Sequence, residues 1–86
     1  MEMKEIGFVS NYFGKISVAA IEVTDGMIAV GDKLQFLGST TDCESTVESM
    51  QIDHKDVAEA KKGSSVGIRV SEKVRKGDRV FKVSTE

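Results

Sequence analysis

Two phrases forty-six residues apart constrain this chain more than any other feature. Val30-Gly31-Asp32-Lys33-Leu34 and Lys76-Gly77-Asp78-Arg79-Val80 each set a glycine and an aspartate ahead of a base and an apolar residue that open a strand-like run. Glycine accepts the positive φ of a tight turn, and aspartate can bond its own neighbouring backbone. The repetition predicts two matching corners of one small β structure. With Gly26 and Gly63, the residues Gly31, Asp32, Gly77 and Asp78 are read as structural turn positions.

The rest of the chain agrees with an all-β reading. Eight glycines and no proline punctuate short runs rich in valine and isoleucine, at spacings of about ten residues typical of a sandwich or barrel. Leu34 and Phe36 alternate with Lys33 and Gln35, and Val66, Ile68 and Val70 alternate with Gly67, Arg69 and Ser71. Lys15 to Val23 carries apolar residues on both faces, which predicts a central strand or a bulge near Ala19. Thr46 to Ile52 breaks strict alternation and predicts a bulge or a rim. Asp56 to Gly63 spells a short helical connection, with Asp56 as cap, Glu59 three residues on and Gly63 as stop. A helix that short is marginal in water, so a turn is the other expectation. Six or seven strands in so short a chain suit a closed barrel, because closure removes unpaired edges.

At 86 residues the chain is read as one domain, 1–86, with no room for a second catalytic domain. Cys43 is the only cysteine and His54 the only histidine, so no disulfide framework and no metal cluster is expected. Gly14-Lys15 lacks the earlier glycine and the following hydroxyl of a phosphate loop. No cofactor is expected, and the chain is read as non-enzymatic. No apolar run approaches the roughly 18 residues of a membrane span, and the opening segment lacks a leader's apolar core. A cytoplasmic protein with no membrane partner is the resulting expectation.

Charge supplies the one hint of a partner. Net charge is −2, yet the segment from Arg69 to Lys82 holds six bases against two acids. Arg69, Lys73, Arg75, Lys76 and Arg79 are therefore candidate contacts for RNA or a protein. Tyr12 and Phe13, followed by Lys15, form the one aromatic cluster beside a base, and neighbouring strand residues leave only one ring free to stack.

In order and spacing, several short elements together resemble the second domain of translation elongation factor Tu and its relatives. They are Gly7-x-Val9, Gly26, Ile28-x-x-Gly31-Asp32, Val47 with Met50, Val57-x-x-Ala60-x-x-Gly63, Val66-Gly67-Ile68 and Gly77-Asp78. The resemblance covers nearly the whole chain. It implies a closed six- to seven-stranded Greek-key barrel, with Asp56 to Gly63 mostly extended, and a non-catalytic binding module contacting tRNA or a translation-associated protein. It also implies a pocket role for Glu48, matching a glutamate that meets the tRNA terminus in the factor, with Gln51 where the factor has an arginine. The C-terminal barrel of collagenase-like peptidases is similar too, through the same valine-glycine-aspartate turn and closing lysine-x-glycine-aspartate. That second resemblance implies an accessory interaction barrel for a peptidase-like enzyme, without a nucleic-acid role. A self-associating barrel, a homo-oligomer, is a separate expectation.

Overall fold

The computed structural model describes residues 2–84. Ten strands, all paired antiparallel, make up the described regular structure: β1 (Glu2–Phe13), β2 (Val18–Val23), β3 (Met27–Ala29), β4 (Lys33–Leu37), β5 (Asp42–Thr46), β6 (Met50–Ile52), β7 (Lys55–Val57), β8 (Glu59–Lys61), β9 (Ser65–Arg69) and β10 (Arg79–Ser84). Eight form one sheet in the order β5-β4-β10-β1-β2-β9-β6-β7, and β3 pairs with β8 separately. Among the described residues there is no helix, hence none long and apolar enough to cross a membrane.

Alternation decides which side chains fill the interior. Ala19, Ile21 and Val23 of β2, Leu34 and Phe36 of β4, and Val66 and Ile68 of β9 point inward and are buried. They join Ile6, Val9, Ile28, Met50 and Val80 in one continuous core. Strand β2 is paired along both edges, to β1 and β9, and so is central, while Val18 and Ala20 of its second face are half-buried on the outer side of the sheet. The bulge lies across from it on β1, where the register slips between Val9 and Asn11, and a second slip falls between Glu5 and Gly7.

The two glycine-aspartate corners are built alike. Gly31 and Gly77 have φ of 98° and 94°. The Asp32 amide donates to the Ala29 carbonyl at 3.0 Å, and the Asp78 amide to the Arg75 carbonyl at 3.1 Å. Each carboxylate accepts from the amide three residues back, Asp32 from Ala29 at 2.8 Å and Asp78 from Arg75 at 2.7 Å. Each corner is then clamped to a buried valine by a reciprocal pair of bonds. Gly31 donates to the Val47 carbonyl and Val47 to the Asp32 carbonyl; Gly77 donates to the Val9 carbonyl and Val9 to the Asp78 carbonyl, all at 2.8 Å. The strands that follow, β4 and β10, pair with each other from Lys33↔Val83 to Leu37↔Arg79.

Three expectations change. The strand count among the described residues is ten rather than six or seven: Val47 to Ser49 leaves strand geometry between β5 and β6, and the three-residue strands β3, β7 and β8 are added. That corner lets Val47 turn into the core and clamp Gly31. The hydrogen-bonded ladder is not closed: β5 and β7 end the sheet, and no ladder joins them among the described residues. Asp56 to Gly63 is extended chain and turn, as the family resemblance implied, because pairing β8 with β3 buries Ala60 opposite Ile28. One isolated helical turn offers nothing comparable.

Candidate functional site

Outward-facing positions of the central strands line up in rows across the sheet. One row runs Asn11, Ala20, Gly67, Gln51, Asp56; the next runs Phe13, Val18, Arg69. Ala20 and Gly67 are the small members, so the first row dips where β2 meets β9. The taller neighbours stand around that dip. Phe13 and Ile16, 47% and 60% exposed, rise on one side, and the β6–β7 hairpin stands on the other. The hairpin turns at Asp53 and His54, both with positive φ, as a two-residue antiparallel turn requires.

Two contiguous depressions result, of about 400 and 450 Å³, sharing Ile16, Val18, Gln51 and Gly67. Lys15 and Arg69 border one end, and Asp53 with His54 the other. A third depression, of about 430 Å³, lies beyond Arg69 against β5, whose outer edge ends the sheet, and is bordered by Glu44, Glu48 and Ser71. Gln51 donates to the Asp56 carboxylate at 3.0 Å, which fixes its amide along the groove's rim. The Ser65 hydroxyl is hydrogen-bonded to the Glu22 carboxylate.

The sequence candidates thus divide. Glu48, Gln51 and Arg69 border these connected depressions, with Arg69 between Glu48 and Gln51. Lys73, Arg75 and Lys76 are exposed on the stretch between β9 and β10, and Arg79 lies on the outer face of β10 opposite Leu37 and Phe8. Lys82 is engaged elsewhere, with Nζ 3.1 Å from the Asp32 carboxylate and 3.4 Å from the Met27 carbonyl. The positive φ of Gly26, Gly31, Gly63 and Gly77 places these residues at turns, and Asp32 and Asp78 are bonded into two of those turns. Of the aromatic pair, Phe13 is the free ring, while Tyr12 packs partly buried against the core.

The groove floor was not singled out from sequence. Its signal is the smallness of Ala20 and Gly67, which gains meaning only once the register sets them side by side. Cys43 is half-buried at the core's edge, and burial, with Glu72, Asp78 and Asp42 behind it, pushes its thiol up, away from a reactive thiolate. No group of three or more His, Cys, Asp or Glu side chains among the described residues is placed to hold a metal ion.

No protein-family model matches the chain. It is 50% identical over 78 residues to an uncharacterized protease of Methanocaldococcus jannaschii, covering 90% of this chain and 19% of that protein. Over the same length it is 32% identical to a collagenase of Porphyromonas gingivalis, of which it covers 22%. Among solved structures, the C-terminal domain of a protein assigned to the U32 peptidases in Geobacillus thermoleovorans superposes with a TM-score of 0.86 at 15% identity, covering 94% of this chain and 93% of that one. GDP-bound aIF5B of Aeropyrum pernix superposes with a TM-score of 0.62 at 15% identity, over 93% of this chain and 14% of that one. Both superpositions speak to fold alone. The chain spans about a fifth of the length of the curated relatives it matches. Its homologues are thus portions of protease- and collagenase-named proteins, and its fold is that of the C-terminal domain of a U32 peptidase.

Proposed function

We propose that this chain is a non-catalytic accessory barrel of a peptidase-like protein, supplying a binding surface while the chemistry resides in a partner domain. The observation that carries this reading is the 50% identity across nine tenths of the chain to one fifth of a protease. The local chemistry agrees with it. Asp32 and Asp78 are committed to their turns, the Cys43 thiol is shifted away from ionisation, and His54 sits on an exposed hairpin turn.

A second reading, a translation-factor-like module binding tRNA through Arg69, Lys73, Arg75, Lys76 and Arg79, draws on the aIF5B superposition and the basic segment. Its support is weaker, since that likeness is one of fold and Lys82 is already paired.

Mixing the purified chain with the Methanocaldococcus relative deprived of its matching segment separates the two readings. The accessory reading expects a stoichiometric complex by light scattering after gel filtration. Failure to associate, together with tRNA retention that collapses as salt is raised, would favour the translation reading.

A further inference from the structure

The geometry points to the outer groove over Ala20 and Gly67 as a binding site for an extended peptide that presents an apolar side chain between an acidic residue at one end and a basic residue at the other. This goes beyond the accessory reading and does not require it.

Four observations converge. First, the groove runs along β9. Ser65 to Arg69 spans about 13 Å at strand rise, the length of four or five residues of extended chain. Second, its floor is small and apolar. Ala20 and Gly67 are register partners flanked by Val18, so one aliphatic side chain can descend between the exposed Phe13 and Ile16 on one side and the β6–β7 hairpin on the other. Third, the ends carry opposite charge. Lys15 and Arg69 border one end, and neither takes part in an ion pair among the described residues. Asp53 borders the other, with Glu22 behind Ser65. Fourth, Gln51 is held by Asp56 along the rim, which leaves its amide oxygen free to accept from a peptide backbone.

The charge arrangement selects the occupant. A polynucleotide presents repeated negative charge and would meet Asp53 at one end, whereas a peptide with opposite charges at its two ends satisfies both. The narrow aliphatic floor of Ala20, Gly67 and Val18 likewise suits a leucine or isoleucine side chain.

Gly67 offers a clean perturbation. A Cβ there would stand 3.4 Å from Val18 Cγ1 and 3.8 Å from the Gln51 carbonyl, ordinary contact distances, and its φ is not positive. Gly67→Ala therefore keeps the fold and raises the floor. Arg69→Gln removes one of the cations at its end without touching the core.

The test is amide chemical-shift mapping of the labelled chain, titrated to millimolar concentration with the blocked peptide acetyl-Asp-Gly-Leu-Gly-Lys-amide and with the same residues in reverse order. One of the two is expected to shift Ala20, Gly67 and Gln51 in a saturable way. Exchanging its leucine for serine, or its aspartate for lysine, is expected to weaken binding about tenfold, and Arg69→Gln to do the same, as loss of a charge-assisted bond predicts. Gly67→Ala, checked as folded by its own amide spectrum, is expected to abolish it. Absence of saturable shifts with both peptides overturns the proposal, as do shifts indifferent to Gly67→Ala or an oligonucleotide moving these amides where the peptides do not. The complex with the truncated relative is measured separately, so either idea can fail alone.

Discussion

The glycine-aspartate corners show what a single residue contributes. Gly31 and Gly77 sit at φ near 95° with no heavy atom within 4 Å of where a Cβ would stand, so nothing but backbone conformation resists a side chain there. Gly31→Ala and Gly77→Ala are each expected to destabilise by about 1–2 kcal/mol. The two losses should be equal within error and additive in chemical denaturation, because the turns share no bonded partner. The repeated phrases are legible in the sequence; what makes the corners equivalent is not, since the clamps reach Val9 and Val47, 68 and 16 residues away from their glycines. Cys43 gives a second residue-scale test. Its raised thiol pKa comes first from burial and then from Glu72, Asp78 and Asp42. Alkylation at pH 8 should therefore run slower than for a free cysteine, and Glu72→Gln should narrow the gap. The linkage sign follows: an unfolded thiol ionises earlier than the folded one, so this group's contribution to stability falls as pH rises through the ordinary cysteine range.

At the scale of elements, alternation was a good guide wherever one face is buried. Leu34 with Phe36, and Val66 with Ile68, point inward as their spacing requires, and β2 is central as its two apolar faces suggest. Alternation misled where the backbone departs from regular pleat. The slips in β1 near Ile6 and Ser10 are invisible to periodicity, as they depend on what lies opposite. Gly7 marks the first. A Cβ there would collide with the backbone carbonyl of Glu22 on the paired strand, so the glycine permits a close approach of two main chains. Gly7→Ala is expected to cost more than about 2 kcal/mol, well above Gly67→Ala, read as a drop in thermal midpoint. The helix signals of Asp56 to Gly63 lost to the ladder between β3 and β8, a non-local pairing that a short window cannot reveal. The groove was missed for the same reason. Glu48, Gln51 and Arg69 were legible by resemblance and charge, but Ala20, Gly67 and Lys15 become neighbours of those residues only through register and a hairpin turn.

For the whole molecule, the outer groove and the homologues point the same way. A small all-β chain whose Asp32 and Asp78 are bonded into their turns and whose thiol is suppressed suits recognition better than turnover. Its relatives carry the equivalent portion within polypeptides about five times as long. The most direct measurement is therefore proteolysis by the purified chain alone, with fluorescent casein and gelatin as substrates. The account predicts no cleavage above the substrate blank, and no difference among wild type, Cys43→Ser and His54→Ala. Turnover that the chain sustains unaided and that either substitution abolishes would contradict it.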